Sequence, residues 1–169
     1  MKKSSPVEPS FLFVGTLYSK KEPFITAREK LTGLFGGIAM ESPDMDFNRS
    51  DYYRDELGWP ITRTFIFFRD RIDPLELSEI KLATNNIENQ LASEGRRNIN
   101  IDPGYLTPSK VVLASTKNYS HRIYIGKGIY AEVTLVYMNG KYQPHIFTYP
   151  DYSSGEYMCI FEDARKLLR

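Results

Sequence analysis

The chain has 169 residues, of which 41% are hydrophobic and 25% are charged. This composition is ordinary for a globular protein, and the length predicts one domain, residues 1–169, with a sizeable core. The formal net charge of +1 gives no reason to expect nucleic acid or an anionic membrane as a partner, although it does not exclude a local basic patch.

The single cysteine, Cys159, excludes an intrachain disulfide bond and fits a cytoplasmic location. The first residues contain no long apolar run before Pro6 and Pro9, so neither a signal peptide nor a membrane span is expected there. We expect residues 1–9 to form a flexible tail.

The first half of the chain predicts strands and a helix in alternation. A nearly continuous apolar run, residues 11–18, is typical of a strand buried on both faces. Apolar residues at helical spacing predict a helix that begins at Pro23 and ends at the glycines 36–37. Further strands are expected within residues 37–47 and over residues 61–69, with a long ordered loop at residues 48–60.

The middle of the chain begins with a strong helix start. Asp73 as N-cap and Pro74 at the first helical position, followed by regular apolar spacing, predict a helix that Gly95 ends. Residues 97–102 then predict a short strand. Residues 102–105, DPGY, predict a turn because Pro and Gly occupy the positions that a type II turn favours.

Residues 110–148 contain turn signals at 117–120, 126–128 and 139–140, between runs rich in β-branched and aromatic residues. This pattern predicts a four-stranded antiparallel meander. Ser153 and Glu156 form a capping box that predicts a C-terminal helix.

The predicted fold is therefore α+β, in a single domain. Its first six elements follow the ferredoxin-like order β-α-β-β-α-β. The C-terminal antiparallel β-meander and the final helix extend this unit, either in the same sheet or in a second one.

Several segments carry a resemblance to a known family: NIDPGYL at 100–106, VVLAS at 111–115, HRIYIGKGIYAEVTL at 121–135 and FTYPDY at 147–152. Together with FVGTLYS at 13–19, they resemble a prokaryotic family known as a domain of unknown function, number 4416. The resemblance covers nearly the whole chain. It implies no established activity, fold or catalytic residue.

Members of this family are sometimes automatically labelled GTP-binding, and the sequence does not support that label by motif. It lacks the G-x-x-x-x-G-K-[ST] loop. Gly126 and Gly128 lie between predicted strands instead of before a helix. Binding of a nucleotide by other means stays open.

The turn positions in the meander predict which residues pair across its strands. A two-residue turn at 118–119 would pair Ser115 with Arg122. A loop at 126–128 would pair Arg122 with Glu132. We therefore expect these three polar residues to lie side by side on neighbouring strands.

A turn at 139–140 would likewise pair Met138 with Lys141 and Thr134 with His145, although Pro144 makes the last strand doubtful. Alternation then predicts one apolar and one polar face. The apolar face, which should be buried, carries Val112, Ala114, Ile123, Ile125, Ile129, Ala131, Val133, Leu135 and Tyr137. The polar face carries Ser115, Arg122, Tyr124, Tyr130, Glu132, Thr134 and His145.

The polar face is the first candidate site. Arg122 would hold an anion, Tyr124 and Tyr130 would contact a ring, and Glu132 with His145 could transfer a proton. The alternative is a solvated sheet face with a weak cross-strand ion pair, because antiparallel sheets often have one wet face.

Further candidates lie beside this face. Lys110 and Lys117 would add positive charge, while Asp102 and Tyr105 flank the predicted turn. His121 is predicted on the apolar face near a turn, where a hydrogen-bonded structural histidine is expected. A slip in register would make His121 the better catalytic candidate.

A metal site is not expected. Asp44, Asp46, Asn48 and Asp55 have the spacing of a calcium loop, but Arg49 stands where that loop needs glycine. Spacings typical of zinc ligands are absent from the sequence.

Three functions stay open. The leading hypothesis is a module that binds a small anionic compound, with a nucleotide as one option. The second is a hydrolase or transferase that uses Glu132 with His145 or His121, and the third is a protein-interaction module. The sequence specifies no cofactor, no particular ligand and no oligomeric state.

Overall fold

A computed structural model describes residues 4–168 and shows one antiparallel sheet with helices on both faces. The strands are β1 (Phe11–Tyr18), β2 (Ile38–Glu41), β3 (Met45–Asp46), β4 (Thr62–Arg71), β5 (Ile99–Leu106), β6 (Lys110–Ser115), β7 (Ile123–Gly126), β8 (Ile129–Met138) and β9 (Lys141–Gln143). The helices are α1 (Lys21–Phe35), α2 (Arg54–Leu57), α3 (Leu77–Leu91) and α4 (Gly155–Arg165), and 3-10 turns lie at Asp51–Tyr53, Pro74–Glu76 and Lys166–Leu168. The prediction of an α+β protein is confirmed.

The stretch expected to form a flexible tail begins with residues 1–3, which lie outside the described residues. Nearer to β1, Glu8 accepts a hydrogen bond from Ser109 Oγ at 2.9 Å. The carbonyl oxygen of Ser10 accepts another from the Ile72 N–H, also at 2.9 Å. These contacts connect the chain before β1 to residues beside β4 and β6.

Strand β1 organises the sheet because both of its faces are buried. Leu12 and Val14 face helices α1 and α3, whereas Phe13 faces α4, since side chains alternate along a strand. The rings of Phe13 and Phe161 of α4 meet edge to face, with centroids 4.9 Å apart. The apolar run that predicts this strand thus supplies core residues to both layers.

The strand order is β2-β4-β1-β5-β6-β8-β7, with β3 beside β4 and β9 beside β8. All of these neighbours are antiparallel. The C-terminal strands therefore extend the first sheet instead of forming a second one.

The C-terminal strands are connected differently from the predicted meander. β6 pairs with β8, and β7 forms the far edge of the sheet. The predicted turn at 118–119 is wrong, because the chain turns later, where Arg122 N–H donates to Tyr119 O at 2.9 Å. Ser115 consequently pairs with Tyr130 and not with Arg122. β8 has ten residues and pairs with all six residues of β6. β7 has only four residues and is too short to pair with β6 over that length.

The predicted register of β7 and β8 is correct at its centre. Tyr124 pairs with Tyr130, which is the register that would bring Arg122 level with Glu132. A bulge follows, so that Gly126, and not Ile125, pairs with Ile129.

The hairpin of β8 and β9 has the predicted turn, since Met138 pairs with Lys141. The predicted pair of Thr134 and His145 is wrong. β9 ends at Gln143 because the next residue, Pro144, has no N–H to donate to the ladder.

The predicted apolar face is only partly buried. Val112, Ala114 and Ile129 pack with Leu77 of α3. Ile123, however, is 73% exposed, because it lies on the edge strand β7. Placement of that residue in the core is therefore wrong.

The DPGY segment belongs to β5 and does not form a turn. Asp102 pairs with Gly15 of β1, and Pro103 pairs with Val14. The backbone groups of Ile101 point away from β1, and alternation turns the Pro103 nitrogen the same way. Proline therefore removes no hydrogen bond between β5 and β1, which is why the sheet tolerates it.

The helix starts follow the predicted chemistry with one shift. Asp73 accepts from Leu75 N–H, and the Glu76 side chain accepts from Asp73 N–H, which completes a capping box before α3. The N-cap of α4 is Ser154 and not Ser153, since Ser154 Oγ accepts from Tyr157 N–H. Within residues 4–168, none of the helices has the length and apolar character needed to cross a membrane.

Two glycine substitutions should have opposite effects on stability. A methyl group at Gly104 would collide with Val112 O and would lie 2.6 Å from the Phe13 ring, so we expect Gly104→Ala to lower the free energy of unfolding by roughly 1–3 kcal/mol. Gly33 in α1 has open space around it, so Gly33→Ala should raise that free energy by about 0.4–1 kcal/mol. Urea denaturation of both variants checks this, and equal effects would contradict it.

Candidate functional site

Strands β5 and β6 separate over half the length of β5. Their backbone pairing runs only from Gly104 with Leu113 to Leu106 with Val111, so residues 99–103 have no partner in β6. A cleft of about 850 Å³ opens at this separation. It is bounded by α3, by residues of the 47–53 loop and by the segments 113–122 and 149–152.

Two side chains of α3 take the place of β6 along the open edge of β5. Lys81 Nζ donates to Ile101 O at 3.2 Å, and Ile101 N–H donates to Glu88 Oε1 at 2.5 Å. Both side chains are buried. Because unpaired buried backbone groups are destabilising, these contacts allow the sheet to stay open here without leaving Ile101 unsatisfied.

Arg97 connects this wall of the cleft to helix α2. Its guanidinium forms two hydrogen bonds with Glu56, at 2.6 and 2.7 Å, and a third with Asn100 Oδ1 at 2.8 Å. Asn100 donates in turn to Asp102 at 2.7 Å, and Lys81 Nζ lies 3.4 Å from the other oxygen of Asp102. The position of Asp102 in the cleft is thus fixed from both sides.

Arg63 of β4 is a buried cation in the cleft wall. Its Nη2 donates to Asp151 Oδ2 at 2.9 Å, and its Nε donates to Tyr157 OH at 3.2 Å. Burial disfavours its charge, but the neighbouring Tyr152, Tyr157 and Asp151 outweigh that effect and raise the pKa of Arg63. The guanidinium is surrounded at 5.3–5.9 Å by the rings of Phe47, Phe65, Tyr152 and Tyr157.

Two buried atoms beside Arg63 have no hydrogen-bond partner in the part of the chain that the structure describes. They are Arg63 Nη1 and Tyr152 OH. Burial raises the pKa of Tyr152 well above its usual range, so its hydroxyl is a neutral donor and acceptor.

Arg122 and Glu132 form a buried ion pair at the opposite wall. Arg122 Nε donates to Glu132 Oε2 at 2.7 Å, and Nη1 donates to Ser115 Oγ and Lys117 O, both at 2.9 Å. Arg122 Nη2 donates to Tyr149 OH at 2.5 Å. Only 1% and 2% of the two charged side chains are exposed, so this is not the solvated surface pair of the alternative interpretation.

His121 completes this cluster. Its Nε2 lies 2.8 Å from Glu132 Oε2, and its ring stacks on Phe147 with centroids 4.5 Å apart and planes within 4°. The predicted place of His121 on an apolar strand face is wrong because residues 116–122 form a loop. Glu132 Oε1 is buried and has no hydrogen-bond partner among residues 4–168.

Two exposed cations belong to the rim of the cleft, Arg49 and Lys117. Lys117 Nζ lies 5.1 Å from the ring centroid of Tyr52 and 3.5 Å from its hydroxyl. Over residues 4–168 neither cation forms a salt bridge with a carboxylate. Among the described residues, the rim therefore carries two positive charges with no carboxylate at salt-bridge distance.

The charges of the lining favour an anion. Six cations line the cleft: Arg49, Arg63, Lys81, Arg97, Lys117 and Arg122. Four acidic residues line it as well: Glu88, Asp102, Glu132 and Asp151. The excess of cations lies at the rim, because each of the other four cations forms a salt bridge with at least one acidic residue.

The structure brings several of the predicted site residues together. Arg122, Glu132, Lys117 and Asp102 all line the cleft. His121 contacts them through Glu132. Arg122 reaches Glu132 although β7 begins only at Ile123, because the loop continues the register of the β7–β8 hairpin.

Three aromatic or histidine candidates lie elsewhere. Tyr124 and Tyr130 contact each other, with ring centroids 5.4 Å apart, and neither lines the cleft. His145 lies on the loop after β9, where its Nε2 is 2.5 Å from Val133 O. It does not reach Glu132, because the strand that would have placed it there ends before Pro144.

Lys110 and Tyr105 also lie away from the cleft lining. Lys110 begins β6 at the end where that strand still pairs with β5 and β8. Tyr105 packs under α3, in the cluster of Leu77 and Val112.

Sequence reasoning missed Arg63, Lys81, Glu88 and Arg97. The available signal was the burial pattern of their elements. Arg63 stands inside the apolar run of β4, and Lys81 and Glu88 are seven residues apart, on the same side of α3. Charged residues at positions where the pattern requires burial indicate a polar site more directly than turn motifs do.

The acidic loop considered for calcium is used differently. Asp44 accepts hydrogen bonds from Tyr18 OH at 3.0 Å and from Thr64 Oγ1 at 2.9 Å, and it pairs with Lys21. Among the described residues, no group of three or more His, Cys, Asp or Glu side chains is placed to hold a metal ion.

The fold and the cleft together define an α+β protein whose single antiparallel sheet is opened by a polar cleft between two strands. Residues 8–167 match the family model described as "Domain of unknown function (DUF4416)". The chain belongs to this family, as the resemblance in its sequence implies. Comparisons with curated proteins and with solved structures gave no match.

The stability of the cleft should depend on pH through Glu88. Burial raises the pKa of this carboxyl above its ordinary 4.5. A raised pKa in the folded state gives stability that is present below pH 4.5 and is lost as the pH rises through the folded value. Glu88→Gln keeps an oxygen acceptor for Ile101 N–H and cannot ionise.

We therefore expect the free energy of unfolding of the wild type to fall, relative to that of Glu88→Gln, as the pH rises above 4.5. Urea denaturation of both proteins at a series of pH values from 4.5 to neutral measures this difference. A difference that is constant, or that changes in the opposite direction, would show that Glu88 is not the buried titrating group.

Proposed function

We propose that the cleft between β5 and β6 binds a small anionic compound that carries a ring, with a nucleotide as one option. The observation that supports this most directly is the positive charge of Arg49 and Lys117, which form no salt bridge within residues 4–168, at the rim of a cleft of about 850 Å³. A cleft of this size is in the range of small-molecule sites.

The lining suits a ring as well as an anion. Tyr52, Tyr53, Tyr119 and Tyr149 contribute rings to the cleft. Such side chains bind planar groups by stacking and by hydrogen bonds of their hydroxyls. These two features favour a ligand with an anionic group at the rim and a ring that contacts the neighbouring tyrosines.

The rigidity of the walls also supports binding. Arg97 and Arg122 are each held by three or more hydrogen bonds, so their positions are fixed before any ligand arrives. Preorganised polar groups reduce the entropy that is lost on binding.

A thermal-shift screen of nucleotides, sugar phosphates and small carboxylates tests the proposal, since a ligand that binds the folded state raises the melting temperature, with a stabilisation that grows as the logarithm of its excess over Kd. We expect at least one phosphorylated compound to stabilise the wild type. The double variant Arg49→Ala/Lys117→Ala should raise the Kd of that compound by about tenfold or more, because it removes charge-assisted contacts.

The matched control is Lys20→Ala/Lys141→Ala, which removes the same charge away from the cleft. It should bind the compound as the wild type does. Equal weakening in both double variants would indicate a nonspecific charge effect, and no stabilisation by any compound would contradict the proposal.

A second candidate function is acid-base catalysis on the bound compound, as a hydrolase or transferase. It is favoured by the contact of His121 Nε2 with Glu132 and by the Oε1 atom of Glu132, which has no partner within residues 4–168. A carboxylate and a histidine in contact can move a proton between a substrate hydroxyl or water and a leaving group.

Release of inorganic phosphate or of another product from each stabilising compound tests this candidate. Glu132→Gln and His121→Ala should each lower turnover by about 100-fold or more. His145→Ala is the control, because the His145 ring contacts the Val133 carbonyl oxygen and not Glu132. Turnover that is unchanged in Glu132→Gln, with folding verified by circular dichroism, would exclude the assignment.

We also propose that β1, α1, β2, β4, α3 and β5 form a ferredoxin-like unit, with β3 and α2 as insertions. The spatial order β2-β4-β1-β5 and the packing of α1 and α3 on one face support this. An experimentally determined structure with another order of these four strands would contradict it.

A further inference from the structure

The cleft contains a donor pair that the surrounding protein leaves unused. Arg63 Nη1 and Tyr152 OH are both buried, and within residues 4–168 neither has a hydrogen-bond partner. Leaving such groups buried without a partner is destabilising. Two of them side by side indicate a place for a ligand oxygen.

Gly15 of β1 lies directly against these two donors and has no Cβ that would crowd them. A methyl group at this position would lie 2.9 Å from Arg63 Nη1, 3.0 Å from a ring carbon of Phe65 and 3.2 Å from Tyr152 OH. Both donors therefore approach the same part of β1, beside Asp102 of β5, which pairs with Gly15.

The charges around the donor pair decide which oxygen it would accept. Arg63 is already neutralised by Asp151, whose Oδ2 lies 2.9 Å from Nη2, and Asp102 adds further negative potential. A doubly charged phosphate would be repelled by these two carboxylates. A neutral carbonyl oxygen or a singly charged carboxylate meets the two donors with much less repulsion.

We infer that Arg63 Nη1 and Tyr152 OH form a subsite that donates two hydrogen bonds to a C=O oxygen of the ligand, either a carboxamide-type carbonyl or a carboxylate. This rests on the proposed function, and it divides the ligand into two ends. The anionic group lies at the rim, by Arg49 and Lys117, and the carbonyl or carboxylate lies against β1 at Gly15.

Acetate and acetamide probe this subsite without the rest of the ligand. Protein labelled with ¹⁵N is titrated at constant ionic strength to about 100 mM, where a probe of four heavy atoms is expected to bind measurably. We expect both probes to shift the Gly15 amide resonance, whereas inorganic phosphate leaves it in place. A larger effect of acetate would identify a carboxylate ligand, and equal effects would identify a neutral carbonyl.

Tyr152→Phe is the test variant, because it removes only the hydroxyl. It should raise the Kd of whichever probe shifts the Gly15 resonance by about 2- to 10-fold, which is the effect of losing one hydrogen bond. Its melting temperature without probe should equal or exceed that of the wild type, since an unpartnered buried hydroxyl has been removed. Tyr130→Phe, outside the cleft, should bind the probe like the wild type.

Tyr142→Phe provides the opposite comparison for stability. The Tyr142 hydroxyl donates to Thr107 O at 2.6 Å, so its loss should lower the melting temperature. If Tyr152→Phe lowers it similarly and neither acetate nor acetamide shifts Gly15, the donor pair holds only a resident water and the inference is wrong.

The other outcomes separate this inference from the proposed function. A shift of the Gly15 amide resonance by phosphate alone would overturn the assignment of the subsite. Probe binding that is unaffected by Tyr152→Phe would overturn it as well. If a phosphorylated compound binds through Arg49 and Lys117 while acetate and acetamide have no effect, the subsite fails and the proposed function stands. If the two probes bind as expected and no anionic compound does, the subsite stands and the proposed function fails.

Discussion

The hydrogen bonds of Lys81 and Glu88 to the backbone of Ile101 are the constraint on which the cleft depends. A sheet that opens between two strands leaves backbone groups unpaired, and such groups are destabilising when buried. Here two charged side chains of α3 provide the missing donor and acceptor. The helix therefore does more than cover the apolar face of the sheet, because it also completes the hydrogen bonding of β5 where β6 departs.

Buried charge is concentrated around this opening. Arg63 with Asp151, and Arg122 with Glu132, are ion pairs whose side chains are at most 11% exposed. Burying a pair of charges is rarely a gain in stability, because the lost hydration offsets the attraction. Their additional hydrogen bonds hold the guanidinium groups rigidly. Such pairs are better explained by the need for fixed donors and acceptors in a cleft than by a need for stability.

Local sequence patterns predicted β1, the capped start before α3 and the α+β class, because these depend on neighbouring residues. The order of the C-terminal strands could not be predicted in the same way. β6 pairs with β8, which is longer and further along the chain than β7. The turn residues near 118 carry no information about whether β6 pairs with β7 or with β8. The contact of Arg122 with Glu132 was predicted because register arithmetic applies to the hairpin that places them. Arg63 was missed because it lines a cleft that forms where β5 and β6 separate, and the sequence gives no sign of that separation.

Pro103 lies where the pairing of β5 with β6 begins, and its nitrogen is on the side of β6. Because proline has no N–H, β5 cannot donate a backbone hydrogen bond to β6 at the first position that would extend their pairing toward Ile101. This covalent feature of the chain favours separation of the two strands here, in addition to the hydrogen bonds of Lys81 and Glu88. A molecule that enters the cleft would therefore not have to break any backbone pairing between β5 and β6.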